Sequence, residues 1–198
     1  TDEPRPLGVY GRTKLDGELG VAAAGGAWLV FRTAWIYAAR GKNFPLTIMR
    51  LAREREELAV VNDQIGAPTS ASAVAAGVSD VIRALARGGD VRGAGESAAG
   101  VYHMTAAGAT TWYEFARRIL ADDPRSAEHV CRVLRPITTA EYSTQKTASH
   151  PERSEGSLSR HGSSTASAGE RSLVADAPRD EPRVARPAYS VLDNGKLA

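Results

Sequence analysis

A lone cysteine, Cys131, is the only thiol in this 198-residue chain. One thiol cannot build an internal disulfide framework, and a single free cysteine fits a reducing, cytoplasmic compartment. No His or cation pattern surrounds Cys131, so it reads as a small buried hydrophobe and not as a nucleophile. No apolar run approaches the roughly 20 residues of a membrane-spanning helix, so no membrane partner is expected. Charge of one sign is nearly cancelled: 25 Lys and Arg stand against 23 Asp and Glu, with the basic residues spread along the chain. That distribution offers nucleic acid no footprint. No His/Cys/Asp group has metal-ligand spacing, and no metal is expected. Also missing is a strand that runs into a Gly-rich turn. The glycines at 88, 89, 93 and 95 follow a helical segment instead, and read as a loop.

What is present is globular, at 42% hydrophobic and 24% charged residues. Residues 1–8 (TDEPRPLG) are a loop-like run that reads as the interior of a longer protein. Residues 9–24 carry Ala, Leu and Val at helical spacing, and Gly25-Gly26 is a natural stop. Residues 27–32 (AWLVFR) have the short apolar text of a buried parallel strand. Asn43 can cap a helix that carries Leu46 and Met49, and residues 58–61 (LAVV) form a second strand leading into a loop over 62–69. Ser70 or Ser72 caps a helix running to about Arg87. Residues 101–104 are a third strand, and Thr111-x-x-Glu114 is a capping box that opens a helix with Trp112 and Phe115 on its apolar face. Strands alternating with helices predict an α/β fold with a mostly parallel sheet. From about 145 to 185 the text turns to Ser, Arg, Glu, Gly and Pro without period, which predicts a disordered insertion. Order is expected again at 186–193, with a helix beginning at 194.

The chemistry-bearing feature is Tyr10-Gly11-Arg12-Thr13-Lys14. A spacing of four puts the phenol and the ammonium on one helical face, a turn apart. A phenol beside a fixed cation can give a proton to a carbonyl oxygen while a hydride attacks the carbon. The strand that follows ends in Arg32-Thr33, and ligands of open parallel sheets sit at strand C-termini.

Residues 4–19 (PRPLGVYGRTKLDGEL) resemble the active-site helix of the extended short-chain dehydrogenase/reductases. Six later segments narrow the match: RTAWIY (32–37), GKNF (41–44), VVNDQIGAPTSA (60–71), GVYHMTAAGATTWYEFA (100–116), RPITTAEY (135–142) and RPAYSVLDNGKL (186–197). In that order they resemble the dTDP-4-dehydrorhamnose reductase family. The resemblance implies the second half of a doubly wound, Rossmann-type sheet over 1–62. It further implies a small α/β substrate subdomain over 63–144, the insertion at 145–185, and a final substrate-side segment at 186–198. It implies reduction of a dTDP-4-keto-6-deoxy sugar with NADPH or NADH, and a homodimer for the full-length protein. Tyr10 would be the proton donor and Lys14 its partner on the nicotinamide ribose, with Arg32 and Thr33 beneath the nicotinamide. Trp35 would turn its aromatic face to the sugar, or else serve as a core residue at a loop base. Asn43 either caps its helix or reads substrate. Gln64 and Thr69 are the polar candidates of the DQIGAPT loop, in which Gly66 and Pro68 shape the turn. Arg186 either approaches the diphosphate or is a solvated residue before a proline. His103 reads as a core histidine.

This chain also departs from the family pattern. The Gly-rich phosphate-seating turn and the upstream Ser/Thr that orients the carbonyl are not in this sequence. Gly8 stands where the family usually has Asn, and Ala38 where Gly is common. A sheet without its first half would leave an apolar edge, so marginal stability is expected. Two other readings follow. One is a non-catalytic binding homologue such as the regulatory subunit of methionine adenosyltransferase, which resembles the family but differs at Trp35 and the DQIGAPT loop. The other is an inactive truncated gene product, and inactivity of the chain alone is expected.

Overall fold

The computed structural model describes residues 3–149 and 189–190. Residues 150–185 of the expected insertion, and the expected helix from 194, lie outside them. The chain begins with α1 (Val9–Ala24), whose N-cap is Gly8. Gly8 has no side chain to accept an orphan N–H, a small penalty against Asn. Gly25, at φ 69°, ends the helix and donates its N–H to Ala22 O. There follow β1 (Leu29–Arg32), β2 (Ile36–Tyr37), α2 (Phe44–Glu54), β3 (Glu57–Val61), β4 (Ile65–Gly66), β5 (Thr69–Ser70) and α3 (Ala71–Ala86). The described chain continues through α4 (Val91–Ser97), β6 (Gly100–His103), β7 (Thr110–Thr111), α5 (Trp112–Asp122) and a 3-10 turn at Ser126–Glu128. It closes with β8 (Val133–Ile137), α6 (Thr139–Ser149) and β9 (Tyr189–Ser190).

Capping side chains start α2, α3 and α5 among other helices. Asn43 Oδ1 accepts from Leu46 N at 3.2 Å, Ser70 Oγ from Ala73 N at 3.1 Å, and Thr111 Oγ1 from Glu114 N at 3.1 Å. Each satisfies one donor that the first helical turn leaves without a partner.

The main strand pairs are parallel, with helices in the crossovers, as the α/β reading requires. β1 pairs with β6 in the register Leu29↔Gly100 to Arg32↔His103, and β3 with β8 from Glu57↔Val133 to Val61↔Ile137. β2 runs parallel to β5, while β4 lies between antiparallel β7 and parallel β9. The segment expected as a loop over 62–69 therefore contains two short strands, and β9 brings residues 189–190 back against it.

Two further expectations are corrected. Gly93 and Gly95 belong to α4, not to a loop: Asp90 Oδ1 accepts from Gly93 N at 2.9 Å and starts the helix. Gly95 is buried there, where an added Cβ would stand 2.8 Å from Ala27 Cβ. Close packing, not a turn, explains that glycine. Helix α6 also continues to Ser149, five residues into the segment expected to be disordered. Gln, Lys and Ala in that stretch are good helix formers.

The core forms around α2, β3, α5 and β8. Ile48, Val60 and Ala116 make one cluster, with Trp112 and Phe44 packed against it. Leu51, Ala52 and Leu58 make a second, with half-buried Cys131 against it, and Ala59, Val61 and Ile137 a third. Burial pushes the Cys131 thiol up from its ordinary range, which suits an inert packing residue. Among the described residues no helix is long and apolar enough to cross a membrane.

Candidate active site

Two clusters carry the residues singled out from the sequence. The first lies where α1 meets the end of β1. Tyr10 is 54% exposed, and Lys14 Nζ stands 5.3 Å from the centroid of its ring. Phenol and ammonium therefore share one face of α1, as the spacing requires. Lys14 also lines a cleft of about 250 Å³ with Pro4, Pro6, Gly11, Glu18 and Arg32. Pro6 leans so closely on α1 that a Cβ on Gly11 would stand 2.9 Å from its own.

Arg32 ends β1 and turns its guanidinium onto Glu18 of α1, with Nε at 3.0 Å and Nη2 at 2.6 Å from the carboxylate. That hydrogen-bonded pair raises the guanidinium above its ordinary value against the opposing effect of burial. Arg32 thus braces the helix, and its fork is taken. Glu18 was not singled out from the sequence, although its place one turn beyond Lys14 was a signal that could have found it. Thr33 is exposed at the strand end.

The second cluster surrounds Trp35. Thr69 N donates to Trp35 O at 3.2 Å, so the DQIGAPT segment docks on this residue's backbone. Trp35 has φ 47°, the sole positive φ of a non-glycine among the described residues. A bulky residue there is an outlier that its surroundings must hold in place. Its indole stacks on that of Trp112, with centroids 3.6 Å apart and planes 11° from parallel. A Cβ built on Gly66 would stand 2.3 Å from Trp35 Cε2 and 2.6 and 2.7 Å from the two ring atoms beside it. Nearly equal distances to those neighbours mean that Gly66 approaches from above the ring, on the face opposite Trp112. Trp35 is therefore sandwiched, and the open aromatic face expected for a sugar is not there. Gly66 is glycine because an indole lies against it, which corrects the expectation that it shapes the turn.

The polar candidates also face inward. Gln64, 9% exposed, donates from Nε2 to Thr139 Oγ1 at 3.0 Å and accepts from Trp112 Nε1 at 3.2 Å. Thr69, 2% exposed, donates to Ala67 O and accepts from Ala106 N. Asn43 caps α2 and donates from Nδ2 to Ala38 O at 2.7 Å and Arg40 O at 3.2 Å. All three side chains tie protein to protein, Asn43 as the cap that was one of its two expected roles, and for buried Gln64 and Thr69 a missing partner would be costly. Arg186 lies outside the described residues. Thr139 was not foreseen: its N–H and hydroxyl both donate to Asp63. Burial pushes the Asp63 carboxyl up, but these hydrogen bonds prevail and hold it below the usual carboxylate range. Trp112 was foreseen only as the apolar face of a helix.

Arg32 and Trp35 are three residues apart, so their Cα atoms are separated by no more than about 11 Å. The cleft with Lys14 and the Trp35 cluster are neighbours at the C-terminal end of β1. That is where open parallel sheets place their ligands.

Parallel strands, helical crossovers and a Tyr-x-x-x-Lys helix ahead of the strand end describe a Rossmann-like α/β protein. The chain belongs to the RmlD substrate-binding domain family, which matches residues 1–168. It is 49% identical over 145 residues to a dTDP-4-dehydrorhamnose reductase of Burkholderia thailandensis, covering 72% of this chain and 48% of that protein. It is 41% identical over 154 residues to the one of Escherichia coli K12, covering 77% of this chain and 49% of that protein. The crystal structure of dTDP-4-dehydrorhamnose reductase from Bacillus anthracis in complex with NADP matches with a TM-score of 0.65 and 27% identity, over 99% of this chain and 50% of that one. A Clostridium acetobutylicum structure described as a dTDP-4-dehydrorhamnose reductase matches with a TM-score of 0.65 and 31% identity, over 98% of this chain and 50% of that one. The chain spans about half the length of the curated relatives it matches.

Proposed function

We propose that this chain supplies the proton-donating helix and the sugar-binding portion of a dTDP-4-dehydrorhamnose reductase, an enzyme using NADPH or NADH. The observation that carries this reading is the Tyr10–Lys14 face on α1, exposed beside the cleft at the end of β1. The relatives' names supply the substrate class, a dTDP-4-keto-6-deoxy sugar, and the free Cys131 fits a cytoplasmic enzyme.

The residues present fit one end of a nicotinamide dinucleotide. Lys14 has no carboxylate partner among the described residues and faces the cleft, so its ammonium is free to donate to ribose hydroxyls. Arg32 is held by Glu18, and its role beside the nicotinamide is to fix α1 against β1; Thr33 offers an exposed hydroxyl at the same strand end. The sequence contains no Gly-rich turn to seat the diphosphate. When bound, the nicotinamide supplies the hydride. Tyr10 donates its phenolic proton to the C4 oxygen as negative charge develops there, with Lys14 over its ring on the same face of α1.

The test joins this chain behind the N-terminal portion of the Burkholderia relative and follows NADPH oxidation on adding dTDP-4-keto-6-deoxy-L-mannose. Turnover is expected, and Tyr10→Phe should lower kcat by about 10²–10⁴-fold. Undiminished turnover in the Phe variant refutes the proton-donor role. The chain by itself is expected to bind no NADPH, which calorimetry checks directly.

A further inference from the structure

We propose that Trp112 and Gln64 are positioning residues that hold Trp35 edge-on toward the sugar. This rests on the reductase reading above and adds to it two residues and a mode of contact.

Trp35 is half-buried, with Trp112 against one face of its indole and Gly66 against the other. With both faces covered, what it presents outward is its edge. An edge has a defined direction, so its usefulness depends on how firmly the ring is held. Its backbone sits in the left-handed region at φ 47°, which a bulky side chain does not adopt unless its surroundings impose it. The stacked pair supplies part of that constraint, since aromatic pairs contribute beyond their buried area.

Trp112 is itself held on two sides. Phe44 meets its ring at 4.6 Å between centroids, and Gln64 Oε1 accepts its indole N–H at 3.2 Å. The other end of the Gln64 amide donates to Thr139 Oγ1, whose own proton goes to Asp63 Oδ1 at 2.6 Å. The run from Asp63 through Thr139 and Gln64 to Trp112 therefore fixes which way the amide points, and the amide fixes the indole. Every step crosses between elements: from the start of α6 to the segment before β4, and from there to the start of α5. Gln64, expected to read the substrate itself, acts on it through Trp112 and Trp35.

The experiment uses the full 198-residue chain and two readouts. The first is the far-ultraviolet circular dichroism exciton couplet of two stacked indoles. Trp28 stacks on no other ring among the described residues, so the couplet reports the Trp35–Trp112 pair. The wild-type chain should show it. Gln64→Leu, which removes both ends of the amide, should weaken it. A couplet unchanged in Gln64→Leu overturns the brace.

The second readout is calorimetry with dTDP and with dTDP-L-rhamnose. The preference for the sugar-bearing ligand should fall about tenfold in Trp112→Leu and in Gln64→Leu, as misplacement of a contacting group predicts. A purely structural role would lower the melting temperature and leave that preference unchanged, and this result overturns the proposal. A wild-type chain that binds neither ligand overturns the sugar reading, while the couplet still decides whether Gln64 braces the pair.

Discussion

Helix α2 buries Pro45, Ile48, Leu51 and Ala52 within 11 residues, whereas α1, at 16 residues, buries none. The contrast follows from the order of residues in each. In α2 the apolar positions 44, 48, 51 and 52 recur at the helical period and form one stripe, which meets β3, β8 and α5. In α1 three glycines interrupt the text, and Val9, Leu19 and Val21 are 59%, 59% and 45% exposed. The same difference extends to the strands. Leu58, Val60, Val61 and Ile137 of the β3–β8 pair are buried, while every residue of β1 is only half-buried. The β1–β6 pair leaves one edge of each strand unpaired among the described residues. Helices α2 and α5 with β3 and β8 thus carry the core. The helix that bears Tyr10 and Lys14 is instead attached by Pro6, by the Glu18–Arg32 pair and by the chain itself. The buried core and the Tyr10–Lys14 face lie on different elements of this chain.

The sharpest way to break that comparison is a matched pair of truncations. Ile48→Ala should cost about 2–5 kcal/mol in urea unfolding, since it leaves a cavity in the main cluster. Leu19→Ala on α1 should stay within about 0.5 kcal/mol. Equal losses would mean that α1 is as much a part of the core as α2.

Next in size is the anchor beneath α2. Asp123, 6% exposed, accepts from Arg125 N and from Arg53, and lies 2.9 Å from His129 Nε2. Burial pushes its carboxyl up, but Arg125, His129 and Arg53 prevail and hold it below the ordinary range. A lowered folded value means that the contribution is complete above the unfolded value of about 3.9 and is lost as pH falls through the folded one. The core around α2 and α5 should therefore loosen only below about pH 4 by this group. Asp123→Ala should cost about 3 kcal/mol at neutral pH, by leaving Arg53 without its buried partner. The difference from wild type should shrink in acid, as equilibrium unfolding at a series of pH values would show. A difference constant down to pH 2, well below the ordinary carboxylate range, would remove the ion cluster from the account.

How much of this was readable in advance depended on how local each signal is. The helix at 9–24 was legible from its spacing and terminal glycines, and that at 71–86 from spacing, a cap and a terminal glycine, each within one stretch of chain. The caps at Asn43 and Thr111 were legible for the same reason. Strands β2, β4 and β5 were not: each is two residues long and exists only because a distant partner lies beside it. The Tyr10–Lys14 face followed from a spacing of four. The roles of Gln64, Thr69 and Trp35 did not follow from their chemistry, because polar and aromatic side chains suit a substrate and a protein interior equally well. The deciding partners stand far along the chain: Thr139 is 75 positions from Gln64, and Trp112 is 48. Motif order identified the neighbourhood, and only packing showed which groups were already engaged within it.

The smallest effect concerns the attachment of α1 itself. The Glu18–Arg32 pair is half-buried and doubly hydrogen-bonded, with side chains 18% and 30% exposed. Glu18→Gln should cost no more than about 1 kcal/mol, and part of that should disappear at high salt. Global unfolding is therefore the less telling measurement. Amide exchange resolves the two regions, because segments with few buried contacts open locally at low free energy. In the wild-type chain the amides of α1 should exchange well ahead of those in β3. Glu18→Gln should speed α1 further and leave β3 untouched, since no core contact passes through that carboxylate. A variant in which β3 accelerates together with α1 would show that the pair couples the two regions, and that the helix bearing Tyr10 and Lys14 shares the stability of the core around β3 after all.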